Sequence, residues 1–136
     1  MRILIDTNVI LDVLLKRSPF YETAIEVLKL SARDDIQEFV SASAITDIYY
    51  IAYKNLRDKA AVRELLKKLL LIVSVAGVSE EEIQKALELE WNDFEDSVQY
   101  SVAALNEMDG IITRNVKGLI HQQKCRYGNR RQFLEK

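Results

Sequence analysis

Short apolar segments alternate with longer amphipathic segments along this chain, and that order constrains the fold more than any other feature. Four short segments are rich in the β-branched and other apolar residues of buried strands: 2–5, 36–41, 71–75 and 110–113. Between them, apolar residues recur at every third or fourth position, as they do on one face of a helix. Strands separated by helices in this way predict an α/β domain with a mainly parallel central sheet.

Helix-capping residues indicate where the helices begin. Ser18 followed by Pro19 is typical of a helix start, with Ser as the N-cap and Pro at the first helical position. Further N-caps are predicted at Asp58, Ser79 and Asn92. The last two are each followed three residues later by Glu, which is the spacing of a capping box.

Composition limits the chemistry that the chain can perform. With 136 residues, of which 49% are hydrophobic, the chain is long enough for one domain with a buried core. Its single cysteine, Cys125, excludes an internal disulfide, and its single histidine, His121, excludes a multi-histidine metal site. Polar chemistry therefore falls to the 21 Asp and Glu residues.

Nothing in the sequence resembles a secretion signal or a membrane span. At the N-terminus the charge of Asp6 follows only three apolar residues, which is too early for a signal peptide. The longest apolar run, 69–78, has about half the length that a membrane span needs. We therefore expect a cytoplasmic protein without membrane contact.

Charge is distributed unevenly along the chain. Residues 1–113 contain 12 basic and 20 acidic side chains, for a net charge of −8. Residues 114–136 contain seven basic side chains and one acidic, for a net charge of +6. This pattern predicts that the acidic body binds a metal and that the basic tail attracts phosphate. The alternative is a solvated tail without a function. Because segment 121–132 lacks helical and alternating periodicity, we expect the basic C-terminal tail, residues 120–136, to be irregular.

Several acidic residues occupy positions that a parallel sheet can bring together. Asp6 follows the first predicted strand, and the polar stretch 113–115 follows the fourth. Ligands of open parallel sheets bind outside the carboxyl ends of the strands, so both stretches open onto one crevice if these strands are neighbours. Asp47 and Asp96 lie on predicted helices of the same domain. Carboxylates that converge without His or Cys favour Mg²⁺ or Mn²⁺, which prefer oxygen ligands.

Each of these acids also has a simpler explanation. Asp6 can cap the helix that follows it, and Asp47 can be an ordinary exposed helix residue. Asp93 and Asp96 suit the positive end of a helix dipole. Their joint arrangement is what predicts a metal site, and a hydrated divalent ion supplies what phosphodiester hydrolysis requires.

Five sequence blocks resemble the PIN-domain family in their order and spacing. They are ILIDTNV, KRSPF, SASAITDIYY, DFEDSVQ and IITRN, at 3–9, 16–20, 41–50, 93–99 and 111–115. The resemblance covers residues 1–119, and it implies a PIN-like domain there with a three-layer α/β/α fold. Members of this family are Mg²⁺- or Mn²⁺-dependent ribonucleases. Small stand-alone members are often VapC-like toxins of toxin–antitoxin pairs, so the resemblance implies an RNA substrate, an antitoxin partner and a homodimer.

The resemblance also implies roles for particular residues. It implies catalytic and metal-binding roles for three acids: Asp6, Asp47 and Asp96. Four polar residues match positions that would orient Asp6 by hydrogen bonds without binding the metal: Thr7, Asn8, Thr113 and Asn115. We expect two basic residues near the fourth strand to attract RNA: Arg114 and Lys117.

Two departures from the family pattern leave alternatives open. Many members carry a further acid where this chain has Gly118, and Asp93 either replaces that acid or caps a helix. Members also usually finish with another apolar strand, which 121–132 does not supply. The leading hypothesis is a metal-dependent endoribonuclease, and the alternative is a catalytically weak or inactive PIN-like module that binds RNA or a protein partner. A carboxylate phosphatase with Asp6 as nucleophile is disfavoured, because the second Asp that it requires is replaced by Asn8.

Overall fold

The computed structural model describes residues 1–114, in which helices and strands alternate as the sequence predicts. The strands are β1 (Arg2–Ile5), β2 (Gln37–Ser41), β3 (Ser74–Ala76) and β4 (Gly110–Ile112). The helices are α1 (Thr7–Leu14), α2 (Tyr21–Lys29), α3 (Ala42–Leu56), α4 (Lys59–Leu69), α5 (Glu80–Leu89) and α6 (Phe94–Leu105). A short 3₁₀ turn, Leu30–Ala32, follows α2.

The four strands of residues 1–114 form one sheet in the order β3-β2-β1-β4, and every neighbouring pair is parallel. In the middle of the sheet, Leu4 lies between Phe39 of β2 and Ile111 of β4. Because all strands run the same way, their carboxyl ends share one edge. The predicted parallel sheet is confirmed, and β1 and β4 are neighbours.

Helices cover both faces of the sheet. Alternate residues of a strand point to opposite faces, so Ile3 and Ile5 belong to one core cluster and Leu4 to another. The first cluster includes residues of α1, α2 and α3, and the second includes residues of α5 and α6. The structure therefore has the three-layer α/β/α architecture that the sequence predicts.

Two of the predicted helix starts are confirmed in full. Asp58 is the N-cap of α4, and its Oδ1 accepts a hydrogen bond from the amide of Ala61 at 3.1 Å. Ser79 and Glu82 form the capping box of α5, in which the Glu82 carboxylate accepts from the Ser79 amide at 2.8 Å. Such reciprocal bonds satisfy amides that have no partner within the first helical turn.

The predicted helix start at Ser18 and Pro19 is wrong. These residues lie in a turn, and α2 begins at Tyr21, after Phe20 as an N-cap without a side-chain hydrogen bond. The carbonyl of Arg17 accepts from the amides of Phe20 and Tyr21 at 3.0 and 2.8 Å. The chain therefore completes a turn from Arg17 to Phe20 before the helix can start.

The third strand lies further along the chain than 71–75. The amides of Leu71 and Ile72 donate to carbonyls of the last turn of α4, so the backbone is still closing that helix at the first two residues of the predicted strand. Leu71 is 84% exposed. Pairing with β2 therefore starts only at Ser74.

Some predictions fall beyond the described residues. Asn115, Lys117, Gly118 and the tail 120–136 all follow residue 114, so the predictions for them stay predictions. Up to residue 114, the structure contains no helix that combines the length and the apolar character needed to cross a membrane.

Candidate active site

Asp6 lies where β1 ends, at the edge of the sheet that carries the strands' carboxyl ends. It is the N-cap of α1, and its Oδ1 accepts from the amide of Thr7 at 2.8 Å. Its Oδ2 accepts from the Thr113 hydroxyl at 2.9 Å, just past the end of β4. Burial raises the pKa of Asp6, and the hydrogen bonds from Thr113 and Thr7 oppose that rise. Two neighbouring strands therefore hold one carboxylate in place.

Helices α3 and α6 bring further acids toward Asp6. Asp47 lies in the second turn of α3. The N-cap of this helix is the buried Ser41, whose Oγ accepts from the Ala44 amide at 3.1 Å. Glu95 and Asp96 lie in the first turn of α6. An open cleft of about 320 Å³ is lined by Thr7, Asn8, Asp47, Tyr50, Ile51 and Glu95.

The acids at this edge act on one another electrostatically. Burial raises the pKa of Asp96 to about 6, with further increments from the charges of Asp93 and Asp6 and from neighbouring Glu95. Burial also raises the pKa of Glu95, and the charges of Asp47 and Asp6 raise it further. Glu95 and Asp96 are therefore harder to ionise than isolated carboxyl groups, in part because like charges share this site. We call Asp6, Asp47, Glu95 and Asp96 the acid cluster.

Glu95 is the member of the acid cluster that the sequence did not predict as a site residue. The predicted capping box assigned it to Asn92, but the N-cap of α6 is Asp93, whose Oδ1 accepts from the Asp96 amide at 3.1 Å. The prediction of Asn92 as the cap is therefore wrong by one residue. Asn92 and Asp93 are adjacent candidates, and choosing the second leaves Glu95 available for the cleft.

Two of the predicted polar neighbours, Thr7 and Thr113, contact Asp6, each in a different way. Thr113 reaches it through its hydroxyl, and Thr7 through its backbone amide. The buried Thr7 hydroxyl lies near enough to Glu95 to lower that residue's pKa, although it makes no hydrogen bond of standard geometry within residues 1–114. Asn8 lines the cleft, and its Oδ1 lies 3.4 Å from Nη2 of Arg17.

The chemistry of the acid cluster fits a hydrated divalent cation. Its donors are carboxylate oxygens. Burial is the main cause of the raised pKa values of Glu95 and Asp96, and repulsion between carboxylates adds to it; a cation would relieve that repulsion. Among residues 1–114, no three His, Cys, Asp or Glu side chains are close enough to enclose a metal ion. Mg²⁺ needs no such enclosure, because it usually keeps several waters and binds through one or two carboxylates.

Comparison with known proteins assigns the chain to a family. Residues 2–117 match the model of the PIN domain, so the chain belongs to the PIN-domain family. It is also similar to Ribonuclease VapC1 of Aquifex aeolicus, with 25% identity over an alignment of 107 residues that covers 75% of this chain and 73% of that protein.

Solved structures with the same fold include a toxin and a chain of a toxin–antitoxin complex. The sarcin-ricin-loop-cleaving toxin VapC20 of Mycobacterium tuberculosis matches with a TM-score of 0.70 and 16% identity, over 88% of this chain and 94% of its own. A chain of the promoter-DNA-bound VapBC2 complex of Rickettsia felis matches with a TM-score of 0.67 and 17% identity, over 86% and 90% of the two chains. A chain of a toxin–antitoxin complex from Klebsiella pneumoniae matches with a TM-score of 0.64 and 20% identity, over 85% of this chain and 88% of its own.

Proposed function

We propose that this protein is a metal-dependent endoribonuclease that hydrolyses RNA phosphodiester bonds and serves as the toxin of a toxin–antitoxin pair. The observation that carries the proposal is the acid cluster, in which Asp6 is fixed by Thr113 and shares its surroundings with acids from two helices. Membership of the PIN-domain family and similarity to a VapC ribonuclease support the same reaction.

Asp6, Asp47 and Asp96 would together attract a hydrated Mg²⁺ or Mn²⁺, and one or two of them would bind the ion directly, with Glu95 beside them and Asp93 capping the helix. When bound, such an ion supplies charge neutralisation at a phosphate oxygen and acidifies a water. Thr113 keeps one oxygen of Asp6 fixed by its hydroxyl, and the Thr7 amide fixes the other. These two contacts orient the carboxylate before any ligand arrives, which lowers the cost of binding.

The proposed partners follow from the same similarity. Chains of two toxin–antitoxin complexes share this fold, and we propose that an antitoxin protein binds this chain as well. We also propose that the protein forms a homodimer and acts in the cytoplasm. Arg114, Lys117 and Asn115 would contribute to RNA binding and to the polar rim of the site.

An RNA cleavage assay on the full 136-residue chain tests the proposed function. The protein should cleave single-stranded RNA with Mg²⁺ or Mn²⁺ and stop when EDTA is added. Asp6→Asn and Asp96→Asn should each lower the cleavage rate by orders of magnitude, because each removes a ligand charge. Asn is as good an N-cap as Asp, so Asp6→Asn should still fold.

Asp34→Asn is the matched control for these variants. Asp34 is exposed and precedes β2, so it lies at the opposite end of the parallel sheet from the acid cluster. This variant should cleave at the wild-type rate. Wild-type protein that binds RNA with metal present but never cleaves it would overturn the nuclease proposal in favour of an inactive binding module.

A further inference from the structure

A buried carboxylate in α1 holds two arginine side chains at once. Asp12 is 1% exposed. Its Oδ1 lies 2.9 Å from Nε of Arg17, and its Oδ2 lies 3.0 Å from Nε of Arg114. Nη2 of Arg114 also lies 3.4 Å from Oδ1. Arg17 is 5 residues from Asp12 along the chain, whereas Arg114 is 102 residues away, so the fold brings a distant arginine to this carboxylate.

Each arginine is fixed at a second point as well. The amide of Arg17 donates to the carbonyl of Asp12 at 3.0 Å, and its Nη2 lies 3.3 Å from the carbonyl of Asn8. The guanidinium carbon of Arg114 lies 4.0 Å from the ring centroid of Phe20, in a cation–π arrangement. Both guanidinium groups are therefore held in defined positions.

The two arginines border the acid cluster. Arg114 directly follows Thr113, whose hydroxyl donates to Asp6. Arg17 contacts Asn8, which lines the cleft. Fixed positive groups thus lie next to the place where the reacting phosphate of an RNA would bind.

A purely structural tie between α1 and the end of β4 would need only one arginine. Two guanidinium groups on one carboxylate leave a net charge of +1, and two like charges side by side repel. The side chains of Arg17 and Arg114 remain 34% and 33% exposed. Within residues 1–114 their hydrogen bonds use Nε and Nη2, so Nη1 of each takes no part.

We propose that Arg17 and Arg114, positioned by Asp12, form a binding site for an RNA backbone phosphate beside the acid cluster. The planar guanidinium group suits phosphate recognition, and a phosphate supplies the negative charge that this group lacks. The proposal rests on the proposed function, because it takes RNA as the substrate. Asp12 is a positioning residue here, and the two arginines are the binding residues.

The test is Asp12→Asn in the full chain, because charge and positioning predict opposite results. Removing an acid near a phosphate site strengthens RNA binding if charge alone matters. If Asp12 positions the arginines, binding weakens despite the added positive charge, by about tenfold. Fluorescence anisotropy with a labelled single-stranded RNA in EDTA measures binding without cleavage.

Asp34→Asn is the control, because it makes the same charge change at the other end of the sheet. Asp12→Asn protein that binds RNA as tightly as Asp34→Asn protein would overturn the positioning role. In the Asp12→Asn background, adding Arg17→Ala should lower the affinity for RNA only slightly further, because Arg17 is no longer positioned by Asp12.

Arginine variants keep the proposal testable if Asp12→Asn fails to fold. Arg17→Gln and Arg114→Gln should each weaken binding about tenfold and lower the salt slope by about 0.7. Unchanged affinity and slope in both would overturn the phosphate site. Wild-type protein that binds RNA in this way but never cleaves it with metal would defeat only the nuclease proposal.

Discussion

Burial raises the pKa of carboxylates in two regions of the molecule, but neighbouring negative charges raise it further in only one of them. In the acid cluster, burial and the charges of Asp93, Asp6 and Glu95 together raise the pKa of Asp96 to about 6. Near the start of β2, burial alone raises the pKa of Glu38 to about 8. A cation can relieve the repulsion between carboxylates in the first region. In the second region the cause is burial of the Glu38 charge, and only protonation of Glu38 removes that charge. A raised pKa therefore indicates a ligand site only where neighbouring charges contribute to it.

Glu38 also contrasts with Asp12, which is equally buried. Glu38 is 2% exposed and lies opposite Ile3 in the sheet, and neither of its carboxylate oxygens has a hydrogen-bond partner within residues 1–114. Asp12 has two arginines. Burying a polar group without a partner costs free energy, so Glu38 weakens the fold while Asp12 ties its elements together.

The largest expected effect is on the pH dependence of stability. The folded state raises the pKa of Glu38 from 4.5 to about 8, so between these values the unfolded chain loses its proton first. The free energy of unfolding should therefore fall as pH rises, by up to about 1.4 kcal/mol per pH unit and by several kcal/mol in total. Urea denaturation at pH 5, 7 and 9 measures this fall.

Glu38→Gln removes the titrating group and should flatten that part of the curve. The variant should exceed the wild type in stability at pH 9 and gain nothing at pH 4. It should cleave RNA as the wild type does, because Glu38 lies near the start of β2, away from the edge of the sheet where the strands end. Parallel pH curves for the two proteins would show that Glu38 ionises normally in the folded state.

The second prediction concerns the position of Asp6. Thr113→Val keeps the shape of the side chain and removes the hydroxyl that donates to Asp6. Loss of such an orienting contact should lower the cleavage rate by about 10- to 100-fold while the melting temperature stays close to that of the wild type. Thr23→Val, on the exposed side of α2, is the control and should retain full activity. Full activity in Thr113→Val would show that Asp6 needs no support from β4.

The smallest expected effect distinguishes the charge of Asp93 from its role as a cap. Asp93→Asn keeps a good N-cap, so stability should change by only a few tenths of a kcal/mol, whereas Asp93→Ala should lose about 1 kcal/mol. If Asp93 only caps α6, both variants should cleave RNA at near the wild-type rate. A loss of activity by orders of magnitude in Asp93→Asn would instead assign it to the metal.

Local signals in the sequence predicted much of the fold. The alternation of strands and helices gave the parallel sheet, and the caps at Asp58 and Ser79 lie where their side chains indicated. The start of β3 could not be predicted, because every residue of the apolar run 69–73 suits both a helix end and a strand. Ser18 and Pro19 carried a helix-start signal, but they occupy the centre of the turn from Arg17 to Phe20.

The acid cluster was predictable in part, and the arginine pair was not. Asp6 directly follows a strand, so the sheet alone places it. Glu95 was missed because a shift of one residue in the cap changes its role. Asp12 looks like any acid on an amphipathic helix until the fold brings Arg114 to it across 102 residues.

A calorimetric titration with Mn²⁺ tests the central claim, that the acid cluster binds a divalent cation, most directly. The wild type should give a saturable heat at neutral pH, Glu38→Gln should give the same heat, and Asp6→Asn should give almost none. That pattern would tie the metal to the region where neighbouring charges raise the pKa values. No heat from the wild type at millimolar Mn²⁺, or equal heats from wild type and Asp6→Asn, would contradict the claim.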